Sequence, residues 1–226
     1  MQKSDNLTSH LSGEYDLQIS NTIPYYNLFH QEILNLIESM DIKPDTWLDT
    51  GCGTGNLVEK ALQKFPSTVF ILADPSVEML GKSKEKLGNN INVEFLEPAP
   101  SQDISLSRGA DVITAIQSHH YLSEDERYKA VKSCYNNLNE NGVYVTFENI
   151  HPLTKKGTEI GKEYWKRFQI SRGKPVVDAE NHIKRFNVEY FPITIEEHLL
   201  LLKKSGFRVV EMFWYSYMQA GFYCIK

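Results

Sequence analysis

Three short groups in this 226-residue chain have residue types and spacing that could do chemistry. The first is Asp49 followed by Gly51, Cys52, Gly53 and Gly55, a G-x-G-x-G pattern behind an acid. Alternating glycines cost conformational entropy, so the turn they form must carry backbone close to something. Such a turn points main-chain N–H groups and a helix N-terminus at a polar ligand. The second group is Asp74-Pro75-Ser76, which begins 25 residues after Asp49. A carboxylate there suits the two hydroxyls of a ribose, and it equally suits the cap of a following helix. The third is Gln117-Ser118-His119-His120, which contains the histidines best placed to serve as a base.

The spacing narrows the ligand. A dinucleotide fingerprint reads G-x-G-x-x-G and seats a pyrophosphate on the helix N-terminus. Here the third glycine comes one residue early, and Asp49 would repel a pyrophosphate. An acid at that point suits an ammonium. A nucleoside with an amino-acid tail meets both demands, with its ribose at Asp74 and its tail at the glycine turn. S-adenosylmethionine (SAM) is such a molecule.

These groups need a scaffold that brings strand ends together. Thr46–Asp49 reads as a strand, and Thr68–Ala73 is the nearly continuous apolar run of a strand covered on both faces. Ile91–Leu96, Asp111–Ile116 and Gly142–Glu148 follow as further strands. Helical spacing appears between them over Asn56–Phe65 and Val77–Leu87, and from a Ser123/Glu126 capping box to about Leu138. Strand-helix repetition of this kind predicts a parallel, doubly wound sheet. Ligands then bind beyond the carboxyl ends of the strands, where all three groups fall.

The flanks are read as three additions to a core at 44–150. Residues 1–43 form an N-terminal arm and helix, with a short helix near Gly13–Ile19. An amphipathic helix follows from Pro24, carrying Leu28, Phe29, Ile33, Leu36, Ile37 and Met40. Residues 151–192 read as a helical cap; nine Lys/Arg face five Asp/Glu between His151 and Tyr190. Residues 193–226 hold a helix opened by a Thr194/Glu197 capping box, then two strands, Phe207–Trp214 and Met218–Ile225, joined as an antiparallel hairpin.

Composition sets outer limits. The net charge of −5 argues against a general nucleic-acid binder. The cysteines, Cys52, Cys134 and Cys224, are odd in number and widely spaced, which predicts no metal site and no disulfide framework. A reduced, cytoplasmic setting is therefore expected. No apolar run approaches the roughly 18 residues of a membrane span.

The motifs resemble those of class I SAM-dependent methyltransferases that act on small molecules. Leu48-Asp49-Thr50-Gly51-Cys52-Gly53-Thr54-Gly55 is similar to that family's first motif. Asp74 to Leu80 resembles the motif after the second strand, and Asp111–Ile116 with Gln117–His120 resembles the one after the fourth. The likeness covers about residues 20–150 well and the C-terminal hairpin loosely. It implies a Rossmann-like α/β fold with seven strands, mostly parallel, the last antiparallel. It further implies SAM as cofactor and a small-molecule methyl acceptor as partner. Asp49, Gly51, Cys52, Gly53 and Gly55 would then hold the methionine side, Asp74 and Pro75 the ribose side, and Val77 or Met79 the adenine. Gln117 and Ser118 would line the methionine tail. The chain departs from the family after the third strand, where the adenine amino group would fall to backbone near Ala99 or to Gln102 or Asp103.

Methyl transfer is an in-line displacement, so the protein must align the acceptor and, for some acceptors, remove a proton. His120 is the expected base. Tyr15 and Tyr26 are expected on the acceptor side if the arm folds over the site; their alternative is core packing, as it is for both histidines. The aromatic cluster from Phe213 to Tyr217 with Phe222 and Tyr223 reads either as hairpin core or as a homodimer contact. Rival functions are a SAM-modifying enzyme similar to carboxy-SAM synthase, a tRNA methyltransferase, an NAD-dependent dehydrogenase and a SAM-binding regulator without catalysis.

Overall fold

The computed structural model describes Thr8 and residues 12–226; the start of the expected arm lies outside the described residues. In chain order the strands are β1 (Thr46–Thr50), β2 (Val69–Ala73), β3 (Val93–Phe95), β4 (Ala110–Ile116), β5 (Leu138–Asn149), β6 (Val209–Ser216) and β7 (Gln219–Ile225). They form one seven-stranded sheet in the order β3-β2-β1-β4-β5-β7-β6. The strands β1 to β5 pair in parallel, and β7 runs antiparallel to both β5 and β6. The Rossmann-like sheet expected from the sequence, with its antiparallel last strand, is therefore present.

Order explains position. The chain runs from β1 outward to β3, then returns to lay β4 on the other side of β1. That reversal opens a crevice above β1 and β4, where such sheets bind ligands. Asp49 lies on β1 and the glycine turn follows it directly, so this turn stands at the crevice.

Two apolar layers cover the sheet. On one face α2 (Tyr26–Ser39) and α3 (Asn56–Lys64) pack on β1, β2 and β5. Phe29, Ile33 and Ile37 are fully buried, at one helical spacing. Phe29 stacks on Phe147 of β5 with centroids 4.0 Å apart. On the other face α5 (Glu124–Asn137) and α8 (Ile195–Lys204) cover β4, β5 and β7 through Val131, Cys134, Leu202 and Phe207. Both capping boxes form, Ser123 with Glu126 and Thr194 with Glu197, and each satisfies orphan N–H groups at a helix start.

Four α-helices remain among the described residues. They are α1 (Tyr15–Thr22), α4 (Val77–Leu87), α6 (Lys155–Ser171) and α7 (Val176–Lys184). The indole N–H of buried Trp165 donates to the Thr22 carbonyl at 2.7 Å and so joins α6 to the end of α1. Several boundaries shift from the sequence reading, and two of the shifts have a clear cause. Tyr25 adopts a left-handed backbone (φ 59°) and caps α2, so Pro24 precedes the helix instead of opening it. The turn expected at Asn141-Gly142 sits within β5, where pairing jumps from Ala110↔Leu138 to Val112↔Val143. Residues 139–142 form a bulge there, with Asn141 left-handed (φ 65°).

Candidate active site

At the carboxyl ends of β1, β2 and β4 lies a cavity of about 230 Å³. Its wall brings together Gly51, Gly53, Asp74, Pro75, Met79, Gln117, Ser118 and Tyr15 from the expected site residues. Pro100, Ser101, His119, Tyr121 and Leu122 add to it. Asp49, Cys52, Gly55, Ala99, His120 and Tyr26, also expected at the site, do not line it.

The glycine turn is built on main-chain contacts. The N–H groups of Gly51 and Cys52 both donate to the Ala73 carbonyl, at 2.8 and 2.9 Å, which locks the turn to the end of β2. Gly51 is left-handed (φ +76°), and a Cβ there would lie 2.6 Å from Ser118 Cβ. Only glycine lets the β1 turn and the β4 loop approach so closely. A Cβ on Gly53 (φ +55°) would meet only Met79 Cε, at 3.7 Å. Since Gly53 and Met79 both line the cavity, a side chain on Gly53 would occupy the ligand's space.

Asp74 is 7% exposed and tied to this turn. Its carboxylate accepts the Gly53 N–H at 2.8 Å and the Ser76 N–H at 2.9 Å. The helix-capping alternative falls to Ser76, which is the N-cap of α4 and accepts from the Met79 N–H. Beneath the turn, buried Asp49 accepts from the Thr114 hydroxyl at 2.6 Å, and that hydroxyl in turn accepts from the Trp47 indole. Burial, aided by the charge of Asp74 and opposed by the Thr114 bond, pushes the Asp49 carboxyl up to about 7. A cation arriving above it would restore the charged form.

Beyond β4, Gln117 takes a left-handed backbone (φ 55°) and donates through its N–H to the Phe147 carbonyl at 2.7 Å. The Ser118 hydroxyl is buried with no partner among the described residues, as is Gln102 Oε1 in the loop after β3. Unpaired buried polar atoms beside a cavity are groups that a ligand satisfies.

His120 follows β4 as expected but does not line the cavity. Its ring Nδ1 lies 2.6 Å from Glu148 Oε2, and its Nε2 lies 3.2 Å from the Asn149 amide. Both ring nitrogens are engaged inside the protein. Glu148 is fully buried and also accepts the backbone N–H groups of His119 and His120, so it braces the loop after β4. Those charge-compensating bonds and the nearby histidines pull its carboxyl down to about 2 against the opposing effect of burial, which is the largest single influence.

The tyrosines divide. Tyr15 is on the wall, and burial holds its phenol well above 10, with Tyr26 and Tyr121 adding to the effect. A phenol held protonated donates a hydrogen bond and serves poorly as a base. Tyr26 stands behind it, hydrogen-bonded to Tyr15 and 3.4 Å from the Asn56 amide. Sequence reasoning missed Tyr121, which lines the cavity and is hydrogen-bonded to Arg185 of the cap segment. The signal available for Arg185 was the basic excess of residues 151–190. It also missed Asp16, whose carboxylate accepts from Thr54, Asn56 and Lys86 at 2.6, 2.8 and 2.8 Å and fastens α1 to the glycine turn.

Comparison with known proteins agrees with this geometry. Residues 48–144 match the model of a methyltransferase domain. The carboxy-S-adenosyl-L-methionine synthase of Staphylococcus epidermidis is 21% identical, over 91% of this chain and 89% of that protein. That of Campylobacter concisus is 27% identical, over 89% and 86%. Among solved structures, a putative O-methyltransferase of Nostoc punctiforme superposes with a TM-score of 0.70 at 15% identity, covering all of this chain and 64% of that one. Among the described residues no helix is long and apolar enough to cross a membrane.

Proposed function

We propose, on the premise that this chain belongs to the class I SAM-dependent methyltransferases, that it transfers the methyl group of SAM to a small-molecule acceptor. The observation that carries this reading is the Asp74 carboxylate, held by the glycine turn at the cavity wall while Ser76 takes over the helix cap. Asp74 would receive the ribose hydroxyls with Pro75 beside it, Asp49 would favour the amino group from beneath the turn, and Met79 would face the adenine. Ser118 and Gln117 would line the tail. Bound SAM supplies an electrophilic methyl group on sulfur. The chain's own task is to align an acceptor against it and keep water out.

On the acceptor side, Tyr15 and Tyr121 present protonated phenols that orient an acceptor oxygen or nitrogen by hydrogen bonds. His120 serves that side indirectly, through the loop it shares with Tyr121. An acceptor already nucleophilic at neutral pH needs no base from the protein, in keeping with a wall that offers donors.

A second reading has its own support. The match to carboxy-SAM synthases runs nearly the full length of both chains, and the basic excess of residues 151–190 suits a substrate that carries a carboxylate. The two readings separate by product mass. Incubation of the protein with SAM and a panel of phenols, amines and carboxylic acids, followed by mass spectrometry, is expected to yield S-adenosylhomocysteine and a methylated acceptor. A nucleoside heavier than SAM by one carboxyl group would instead identify the second reading. SAM binding with neither product would identify a non-catalytic SAM binder.

A further inference from the structure

Behind Tyr121 a second cavity of about 410 Å³ opens between α1 and α7. Thr8 lines both cavities, and Arg185, on the wall of the second, is hydrogen-bonded to Tyr121 on the wall of the first. The two spaces are therefore one side-chain layer apart.

Its donors are held in place by a polar chain. Gly173 (φ +91°) ends α6, and the next residue's N–H, that of Lys174, returns to the Gln169 carbonyl at 3.0 Å. The half-buried Lys174 ammonium donates to Thr22 Oγ1 at 3.2 Å and to Gln169 Oε1 at 3.0 Å. That fixes the Gln169 amide, whose nitrogen faces His182 Nδ1 at 3.0 Å, so the His182 hydrogen sits on Nε2. Both partners of Lys174 are neutral oxygens, and among the described residues it forms no ion pair. Burial draws its pKa down to about 8, with Arg185 acting the same way and Asp178 opposing. Lys174, His182, Asn181 and Arg185 thus line one cavity with N–H groups, and the acids there are Asp178 and Glu189. Glu189 is occupied by Arg185 Nε at 2.5 Å.

A half-buried cation on neutral ligands is a costly arrangement unless an anion completes it. We propose that Lys174 and its neighbours form a subsite for an anionic group, a carboxylate or phosphate carried by the acceptor whose reactive end lies in the SAM cavity. This rests on the SAM-dependent reading for the reactive end, while the anion subsite is testable by itself.

The test is calorimetric titration of the whole protein with acetate, phenylpropionate and inorganic phosphate, at pH 8 in two buffers of different ionisation enthalpy. Anion binding to Lys174 should raise its pKa, so protons are taken up from the buffer at pH 8. The Lys174→Met variant, checked for folding by circular dichroism, should bind each probe at least tenfold more weakly and take up no protons. Phenylpropionate binding at least tenfold more tightly than acetate would mark the anion as the tail of a larger molecule. Equal affinity, with phosphate bound as well, would mark a free-anion site and overturn the acceptor assignment. Absence of probe binding or of proton uptake in the unaltered protein would overturn the subsite outright, whatever the variant does. A parallel SAM titration separates the premises, since failure there refutes the cofactor reading and leaves the anion result to stand by itself.

Discussion

The two halves of the crevice are built in opposite ways. The half proposed for the cofactor, at the ends of β1 and β2, is mostly main chain: three left-handed glycines, paired N–H groups on the Ala73 carbonyl, and one carboxylate spanning Gly53 and Ser76. Its parts come from two short stretches that follow consecutive strands. The half proposed for the acceptor is mostly side chain. Tyr15 comes from α1, Tyr121 from the loop after β4, Glu148 from β5 and Arg185 from the end of α7. Main-chain sites tolerate almost no change of residue type, because conformation itself is the requirement. Side-chain sites can change chemistry one residue at a time, which is how one fold serves many acceptors.

The largest expected effect falls on the main-chain half. Gly51→Val adds a Cβ within 2.6 Å of Ser118 and forces a β-branched residue to φ +76°. The turn must move, and SAM affinity should fall by about 100-fold or more, about 3 kcal/mol at 1.4 kcal/mol per tenfold. Calorimetry reads it directly. Retention of SAM affinity would mean that this turn does not form the cofactor site, and the contrast between the halves would collapse.

Next is a substitution that should damage both halves equally, through the layer beneath them. Phe29 is fully buried and stacks on Phe147. Phe29→Ala should lower stability by about 3–5 kcal/mol, the usual cost of emptying a large buried aromatic site. Chemical denaturation measures it. If the helix merely leaned on the sheet from outside, the loss would be under about 1 kcal/mol, as for surface changes.

The third expectation concerns pH and belongs to the cofactor half alone. Asp49 is raised to about 7 in the ligand-free protein, against a usual carboxylate near 3.9. Between those values the folded state holds a proton that the unfolded state has lost. This group's contribution to stability therefore falls as pH rises from about 4 to about 7. A ligand ammonium prefers the charged carboxylate, so SAM affinity should rise over the same span and level off above pH 7. Asp49→Asn should flatten both curves. A SAM affinity indifferent to pH between 5 and 8 would remove Asp49 from the amino-group side.

The same contrast explains what the sequence could and could not tell. The doubly wound sheet, its antiparallel last strand and the Asp49–Gly55 turn were legible because each is a local pattern: an apolar run, a capping box, an acid before glycines. The surroundings of His120 were not legible because they are not local. Glu148 and Asn149 lie 28 and 29 residues downstream, and only strand pairing brings their side chains to both ring nitrogens. Arg185 reaches Tyr121 through the fold of residues 151–192, where the sequence showed only a basic excess. Pro24 was read by its helix preference, but the left-handed Tyr25 after it decided the boundary.

The smallest expected effect is the most informative about the side-chain half. Tyr15→Phe removes one hydroxyl from the wall and keeps the ring. The ring's packing accounts for most of its burial, so stability should change little. SAM affinity should hold within about threefold, under 1 kcal/mol, because the proposed cofactor contacts fall on other residues. Turnover should fall by about tenfold, the scale of one lost hydrogen bond to a neutral group. If Tyr15 acted as a base, the loss would instead approach the 10²–10⁴-fold typical of proton transfer, and the pH profile would change shape. A phenol held well above its usual 10 by burial beside Tyr26 and Tyr121 argues for the smaller figure. The same variant should weaken any acceptor that depends on that donor and leave one that does not untouched. A Tyr15→Phe acceptor screen therefore sorts candidates by the group they turn toward α1.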